Sequence, residues 1–498
     1  MLRGSGLVVG LFAALGAALP AEAARGCASL AKFTLPGHDV HISKVQQMPD
    51  PAHCRVDGVI DPRTGRDGKT YGIGFAVALP EQWNGRFLFQ GGGGLNGSVA
   101  PPVGGQYAGQ TSALARGFAV ASTDSGHQGA VFDGSFFRDQ QATLDFLHQG
   151  VAEASVVSQQ IVARRYGRPA RHSYFVGCST GGREAMMMSQ RHPDYFDGIV
   201  AAAPAMRTSF SNLGLRHGAT ALNAIAPIGA DGKPQTRLAL SDGDRRLVLD
   251  AMLEACDALD GQKDGFVFAP HRCAFDPGTL ECSGAKNDRC LARAQVAAVR
   301  TVMAGPRTPS GRQVYPGYYY DTGIANTRGL PGILVGPMIP EGPAVTVTMD
   351  VDAAAAAAMD ARAMVGDTSA WTNLSTFRGR GSKLIFLHGV SDPWFSAQDT
   401  VQYYERLALD NPEAPLADWS RLFLVPGMGH CAGGERTLDQ FDLLDALVRW
   451  VENSEAPERV IARGNSAPGE SRPLCPYPAH AYFQGGDVHD AASYLCKN

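Results

Sequence analysis

Several features that mark common classes of protein are missing from this sequence. No C-x-x-C pair occurs among its ten cysteines, which argues against zinc sites and thioredoxin-like chemistry. No Lys- and Arg-rich run is present and the net charge is −4, so nothing indicates a nucleic-acid surface. Internal repeats are also absent. What is left is a globular chain of 498 residues, long enough for two domains or one large domain with an insertion.

The N-terminus has the pattern of a secretory signal peptide. Arg3 precedes an apolar stretch from Leu7 to Leu19, and Ala21-Glu22-Ala23 follows as a cleavage motif. A stretch of about 13 residues is too short to span a membrane, which argues against an anchor. We therefore predict that residues 1–23 are a signal peptide. The mature protein is predicted to be secreted or periplasmic, without membrane association.

A short glycine-flanked motif identifies a candidate nucleophile. Gly177-Cys178-Ser179-Thr180-Gly181 fits the G-x-S-x-G pattern of a nucleophile elbow. It follows the apolar segment 173–176 and precedes a helical pattern, which is the strand-to-helix context that an elbow requires. The alternative is a glycine-rich turn with a buried serine. We favour the elbow, with Ser179 as nucleophile.

The acid and base of a triad are predicted from chain order, which in an α/β-hydrolase runs serine, acid, histidine. His430 follows the apolar segment 421–425 and is the predicted general base. Asp392 follows the apolar segment 383–387 and is predicted to orient the imidazole. Asp399 is the competing carboxylate, but it lies farther along, in a predicted helix.

An oxyanion hole requires two backbone N–H donors. Thr180 supplies one, as the residue after the nucleophile. The other is predicted to come from the glycine run Gly91–Gly94, which follows an early apolar strand. We favour Gly92, with Gly93 second. A flexible glycine turn is the alternative for this run.

Cysteines adjoin both catalytic candidates. If Ser179 and His430 lie within hydrogen-bond reach, their neighbours Cys178 and Cys431 are close enough for a disulfide. An even number of cysteines in an exported protein indicates bridges, although their connectivity does not follow from sequence. Nearest-neighbour pairing of the others leaves Cys178 and Cys431 over; those pairs are Cys27–Cys54, Cys256–Cys273, Cys282–Cys290 and Cys475–Cys496.

Strand-like and helix-like segments alternate at both ends of the chain. This alternation predicts a mostly parallel sheet with helices on its faces, formed by residues 24–205 and 381–498. One helix is expected from Gln141 to Tyr166. The alternation of strand-like and helix-like segments is lost in residues 206–380, which are predicted to be a lid inserted between two strands. The alanine run 353–358 is predicted to be a packed helix without a function.

An acidic loop in the predicted lid is a candidate metal site. Asp257, Asp260 and Asp264 lie among turn-forming glycines, and carboxylate oxygens at this density suit Ca²⁺. The loop is not an EF-hand, because Phe268 stands where the ligating Glu is required. From spacing alone, a solvated acidic turn is an equal alternative.

The motifs together resemble the tannase and feruloyl esterase family. The resemblance is carried by the segment 177–182, by Asp392 and by His430-Cys431; in that family a disulfide joins the residues next to serine and histidine. It implies an α/β-hydrolase core with an inserted lid domain that forms much of the acyl pocket. It also implies five disulfides and a structural Ca²⁺ in the lid, bound by Asp257, Asp260, Asp264 and the carbonyls of Gln262 and Phe266.

The resemblance further implies a secreted serine ester hydrolase that acts through an acyl-enzyme. The expected substrates are small aromatic esters of the feruloyl, hydroxycinnamoyl or galloyl type, including plant polyphenol and cell-wall esters. His388, Trp394 and Phe395 are predicted to face the pocket, with ordinary core packing as the alternative for Trp394 and Phe395. Two other functions stay open, a Ca²⁺-dependent binding protein with an inactive triad and a serine peptidase.

Overall fold

The computed structural model describes residues 26–327, 330–340 and 342–498, so the predicted signal peptide lies outside the described residues. A nine-stranded mixed sheet forms the centre of the protein. Its strands are β1 Val40–Pro49, β2 Ala52–Thr64, β3 Thr70–Pro80, β4 Arg86–Gln90, β5 Ala119–Thr123, β6 His172–Cys178, β7 Gly198–Ala202, β8 Lys383–Gly389 and β9 Ser420–Val425. Their order across the sheet is β1-β2-β3-β5-β4-β6-β7-β8-β9.

The sheet has an antiparallel edge and a parallel centre. Strands β1, β2, β3 and β5 pair antiparallel, and the pairs from β5–β4 through to β8–β9 are parallel. Parallel strands covered on both faces are apolar throughout, which is why the sequence predicted them. Strands β1, β2 and β3 were not predicted. No residue of β1 is buried and only part of β2 is, so no continuous apolar run marks them. Strand β3 is buried along nearly its whole length and was missed although its sequence is apolar.

Helices cover both faces of the sheet and make up much of the insertion. They are α1 Gln140–Leu144, α2 Gly150–Tyr166, α3 Thr180–Arg191, α4 Thr208–Asn223, α5 Asp242–Cys256, α6 Arg293–Ala304, α7 Val351–Ala358, α8 Ala361–Gly366, α9 Ser375–Gly379, α10 Ala397–Asp410 and α11 Leu443–Asn453. Helix α3 packs against β6 and β7, whereas α10 and α11 pack against β8. This arrangement is the predicted α/β-hydrolase core.

The helix predicted from Gln141 to Tyr166 is interrupted. A single π-helical turn, Asp145–Gln149, separates α1 from α2. The buried Arg183 donates to the carbonyl oxygens of Phe146 and Leu147, at 3.0 and 2.6 Å. It thereby satisfies backbone groups within the irregular turn. Hydrophobic periodicity cannot predict such a contact, because the partner lies on another helix.

The insertion follows β7 and ends before β8, its neighbour in the sheet. Its helices α4, α5 and α6 share a separate hydrophobic core that includes Leu222, Val248 and Val299. The alanine run forms α7, as predicted, and its Ala355 packs with Leu213 of α4. The predicted insertion between β7 and β8 is therefore present, while its role as a lid and its limits at residues 206 and 380 stay predictions.

Two small hairpins complete the C-terminal part. They are formed by β10 Val460–Gly464 with β11 Ala467–Leu474, and by β12 His480–Phe483 with β13 Tyr494–Lys497. The Cys475–Cys496 disulfide joins the segment after β11 to β13. Among the described residues, no helix has the length and hydropathy needed to cross a bilayer.

The close packing of α3 beneath the sheet gives a stability prediction. A Cβ at Gly182 would lie 2.2 Å from the carbonyl oxygen of Ala202, which is backbone and cannot turn aside. Gly182→Ala should therefore lower the free energy of unfolding by about 1–3 kcal/mol. Gly379→Ala is the matched control, because beyond its chain neighbours and its own helix backbone no described atom lies within 4 Å of the added methyl group. Thermal unfolding midpoints measure both, and equal midpoints would contradict the packing described here.

Candidate active site

Ser179 lies at the sharp turn between β6 and α3. Its backbone has φ of +63° and ψ of −122°, a conformation that L-residues rarely adopt. The turn needs glycine on either side, because a Cβ at Gly177 would lie 2.4 Å from the carbonyl oxygen of Gly181. Such strain persists only where surrounding structure imposes it. The geometry is that of a nucleophile elbow, with Ser179 at the N-terminus of a helix.

Asp392 and His430 form a buried pair. His430 Nδ1 lies 2.7 Å from Asp392 Oδ2, and Asp392 Oδ1 accepts from the N–H groups of Trp394 and Phe395. Burial alone would raise the pKa of Asp392. The neighbouring His430 and a hydrogen bond from His388 instead hold this pKa below its ordinary value. An ionised Asp392 is suited to orient the imidazole and to stabilise the imidazolium.

Two other residues singled out from the sequence, Asp399 and His388, do not have the predicted roles in this site. Asp399, the competing carboxylate, accepts hydrogen bonds of 3.1 Å from Arg207 Nε. It is therefore paired with Arg207 and not with His430. His388 was predicted to face the pocket, and that is wrong. It is fully buried behind Asp392, with Nδ1 2.8 Å from Thr400 Oγ1 and Nε2 3.4 Å from Asp392 Oδ2. Its β8 position places it inside the core.

The Cys178–Cys431 disulfide joins the serine and histidine segments. The Cα atoms of the two cysteines are 5.9 Å apart, and Tyr107 donates its hydroxyl to the carbonyl oxygen of Cys431 at 2.9 Å. Cys431 itself has φ of +66°. All five predicted pairings are present, the others being Cys27–Cys54, Cys256–Cys273, Cys282–Cys290 and Cys475–Cys496.

The expected hydrogen bond between Ser179 and His430 is not formed. His430 Nε2 is buried and has no hydrogen-bond partner in the part of the chain that the structure describes. The imidazole packs instead between the rings of Trp394 and Phe395, at centroid distances of 4.9 and 5.2 Å. In enzymes without substrate, catalytic hydrogen bonds are often long and form only in the complex. Nε2 is the ring atom that would receive the serine proton.

The glycine loop after β4 differs from expectation in one detail. Gly92 N–H donates to the carboxylate of Glu184 at 2.9 Å, so it is already engaged. Gly93 N–H donates to no group within the described part of the chain, and the space beside its Cα is open. The structure therefore favours Gly93 over Gly92 as the partner of Thr180 in an oxyanion hole.

A cavity of about 680 Å³ opens beside Ser179. Trp394 and Phe395 line it, as predicted, and so do Ser179 and Thr180. Sequence reasoning missed two parts of its wall. The first comes from the π turn and adjoining loops, and the second from the insertion; they include Phe137, Phe146, Leu147, Phe210, Met349, Ala354, Ala357 and Ala358. No local pattern marks these residues, since only the tertiary fold brings them to the serine.

Comparison with known proteins identifies the family. A family model described as tannase and feruloyl esterase matches residues 54–368 and 344–497. This chain belongs to the tannase and feruloyl esterase family. As a member of that family it is a carboxylic ester hydrolase. The Cys-flanked serine and histidine that carried the resemblance thus led to the correct family.

Three individual similarities describe the chain's place among tannase and feruloyl esterase family members. It is 38% identical to the mono(2-hydroxyethyl) terephthalate hydrolase of Piscinibacter sakaiensis, over 90% of this chain and 85% of that protein. It is 31% identical to feruloyl esterase B of Aspergillus niger, over 84% and 82% of the two chains. The crystal structure of feruloyl esterase B from Aspergillus oryzae superposes with a TM-score of 0.75, at 27% identity, covering 95% and 99%.

The acidic loop of this family member combines buried carboxylates. Asp257 and Asp260 are buried and accept hydrogen bonds from backbone N–H groups. Burial, with Asp264 nearby, raises the pKa of both, that of Asp260 to about 7. Buried carboxylates such as these are chemically suited to bind a hard cation. Asp264, however, accepts from Arg472 at 2.6 Å, and within the described ranges no three acidic, His or Cys side chains are arranged as a metal site.

The disulfide beside the site gives a prediction about activity. Replacing both Cys178 and Cys431 with alanine should lower kcat/KM by more than tenfold per folded molecule, because the serine and histidine segments lose their covalent link. The matched control removes Cys282–Cys290, a short bridge in the insertion whose residues are eight apart. Circular dichroism measures the folded fraction and an aryl ester assay measures turnover. Equal activity per folded molecule in both double variants would refute this role.

Proposed function

We propose that this chain is a secreted serine esterase that cleaves esters of aromatic acids through an acyl-enzyme intermediate. One observation carries the proposal. Asp392 and His430 form a buried pair, and a disulfide joins Cys431, next to His430, to Cys178, next to Ser179. Ser179 lies on an elbow that lines a largely apolar cavity. The five disulfides support an oxidising destination for the protein.

Acylation follows from the positions of these groups. Ser179 Oγ attacks the ester carbonyl carbon while His430 Nε2 accepts its proton, and Asp392 stabilises the resulting imidazolium. The oxyanion receives hydrogen bonds from the N–H groups of Thr180 and Gly93. When the C–O bond to the alcohol breaks, His430 returns the proton to the leaving oxygen. The acyl group remains bonded to Ser179.

Deacylation repeats these steps with water. His430 accepts a proton from water, whose oxygen attacks the acyl carbonyl carbon, and the bond to Ser179 Oγ then breaks. The proton returns to Ser179, and a carboxylic acid leaves. Because the same oxyanion forms in both halves, the two backbone donors stabilise each transition state.

The lining of the cavity supports an aromatic acyl group. Phe137, Phe146, Trp394 and Phe395 line the same cavity as Ser179. Aromatic rings stack favourably against one another beyond the gain from burying their surface. The cavity volume of about 680 Å³ lies within the range of about 300–1,000 Å³ that accommodates drug-sized molecules. The relatives named for a terephthalate monoester and for feruloyl esters point to the same chemical class.

A substrate panel tests this function. Methyl gallate, methyl ferulate, chlorogenate and a terephthalate monoester are compared with methyl butyrate and with an anilide. We expect at least one aromatic ester to exceed methyl butyrate in kcat/KM by about tenfold or more, and no anilide turnover. Faster cleavage of the aliphatic ester would reject the aromatic class, and anilide cleavage would favour a peptidase.

The role of Ser179 is tested separately. Ser179→Ala should lower kcat by about 10⁴-fold or more, because no other group can form the acyl-enzyme. Ser189→Ala is the control on the same helix; its buried hydroxyl donates to the carbonyl oxygen of Met186 at 2.8 Å, away from the site. Retained turnover in Ser179→Ala would reject the serine mechanism and support a binding protein with an inactive triad.

We propose further that Ca²⁺ binds the acidic loop as a structural ion. Asp257, Asp260 and Asp264 would supply carboxylate oxygens, with the carbonyls of Gln262 and Phe266 completing the set. The support is the raised pKa of Asp257 and Asp260, because a bound cation would offset the cost of ionising buried carboxylates. The ion would stabilise the insertion and take no part in the chemical steps.

Calcium binding gives a prediction for stability. Ca²⁺ at 100 times its dissociation constant should stabilise the folded state by about 2.7 kcal/mol, raising the unfolding midpoint relative to EDTA by a few degrees. Asp260→Asn should abolish that increase, whereas Asp276→Asn should retain it, since Asp276 is exposed and pairs with Arg300 outside the loop. Identical midpoints of the wild type with Ca²⁺ and with EDTA would refute the site.

The same variant gives a prediction for pH. The folded-state pKa of Asp260 is about 7, above its ordinary value of 3.8, so the folded state holds this proton more tightly. In EDTA its contribution to stability is therefore lost as pH rises from about 4 to about 7. The midpoint of Asp260→Asn minus that of the wild type should increase across this window. A constant difference would contradict it.

A further inference from the structure

Helix α3 carries a buried carboxylate that the mechanism above does not use. Glu184 lies one helical turn beyond the elbow and is 1% exposed. Its Oε2 accepts from Gly92 N–H at 2.9 Å, and its Oε1 accepts from Ser125 Oγ at 2.9 Å and from Asn96 Nδ2 at 3.1 Å. A carboxylate out of water needs such donors, so its position is tightly determined.

The contact with Gly92 holds the glycine loop against α3 from two sides. Besides the N–H bond to Glu184, the Gly92 carbonyl oxygen accepts from Gly181 N–H at 3.0 Å. Because the peptide between Gly92 and Gly93 is planar and trans, fixing the Gly92 carbonyl also fixes the direction of the Gly93 N–H. That N–H is the donor the structure favours for the oxyanion hole.

Two of the residues that contact Glu184 have unfavourable backbone conformations. Asn96 and Ser125 both have positive φ, +53° and +63°, and their side chains hydrogen-bond to each other as well as to Glu184. Gly92 has no room for a side chain, since a Cβ there would lie 2.1 Å from Asn96 Nδ2. Backbone strain of this kind persists only where neighbouring contacts impose it. The loop after β4 and the loop after β5 thus converge on one carboxylate of α3.

We propose that Glu184 is a positioning residue for ester hydrolysis. By holding the Gly92 N–H, it keeps the Gly92 carbonyl in place against Gly181 N–H, and that carbonyl sets the direction of the Gly93 N–H toward the oxyanion that forms on the substrate. This inference rests on the acyl-enzyme mechanism proposed above. Glu184 does not touch the reacting atoms. Its effect is on the transition state, where the oxyanion is fully developed, and only weakly on substrate binding.

Substitution of Glu184 tests the proposal through the split between kcat and KM. Loss of one oxyanion donor costs about 10²–10³-fold in kcat in serine hydrolases, and a misdirected donor costs less. Glu184→Ala should therefore lower kcat on an aryl ester by about 10–100-fold, with KM within about threefold. The matched control, Ser189→Ala on the same helix, should retain the wild-type kcat.

The conservative variant separates positioning from general destabilisation. In Glu184→Gln the side-chain oxygen can still accept from Gly92. If the Asn96 amide turns over, so that Oδ1 takes the place of the donating Nδ2, the Gln amide can donate to Asn96 Oδ1, which is buried without a partner among the described residues. We therefore expect kcat to recover to within about fivefold of the wild type. The inhibition constant of an aryl boronic acid, which forms a tetrahedral adduct with the serine, should rise in Glu184→Ala in parallel with the loss of kcat.

Several outcomes would overturn the proposal. An unchanged kcat in Glu184→Ala, a loss confined to KM, or equal losses in the Ala and Gln variants would each do so. If Glu184→Ala does not fold, Ser125→Ala loosens the same carboxylate and should lower kcat about three- to tenfold; no change there refutes the role. Inactivity of Ser179→Ala combined with a wild-type kcat in Glu184→Ala would refute the positioning role and leave the serine mechanism standing.

Discussion

The site depends on a covalent constraint between two segments that are far apart in the sequence. Cys178 and Cys431 are separated by 253 positions, and their bridge keeps the elbow beside the loop that carries the histidine. In the chain-entropy model, closing a loop of this length stabilises the folded state by about 5 kcal/mol, as an upper figure. The local effect of the bridge matters more here. Ser179 in the elbow and Cys431 both have positive φ, and such conformations persist only where neighbouring structure imposes them.

The first turns of α3 serve several parts of the site at once. Ser179 begins the helix, Gly181 and Glu184 hold the glycine loop, and Arg183 donates to the carbonyl oxygens of the π turn. The proposed nucleophile, the proposed oxyanion donors and one wall of the cavity are thus positioned by one rigid helix packed against the sheet. Placing reacting groups on a common rigid element maintains the alignment that acyl transfer needs.

Sequence alone predicted what depends on local pattern or chain order. The parallel strands are continuous apolar runs, and the elbow, acid and histidine follow the strands that position them, so the fold and the triad candidates could be predicted. The full set of five disulfides was implied by the family resemblance. Three features could not. The role of Gly92 depends on the Glu184 side chain, the burial of His388 depends on its orientation within β8, and the π turn depends on Arg183 from another helix. Each is a tertiary contact without a local signal.

The alanine run has a consequence for how this enzyme could diversify. Ala354, Ala357 and Ala358 form part of the cavity wall, on a helix that belongs to the insertion and not to the sheet. A larger side chain there would narrow the cavity from a segment that carries neither the serine, the histidine nor their bridge. Trp394 and Phe395, by contrast, line the cavity and also contact the Asp392–His430 pair. One wall of the cavity can therefore be remodelled separately from these residues, so descendants could acquire new preferences through the insertion alone.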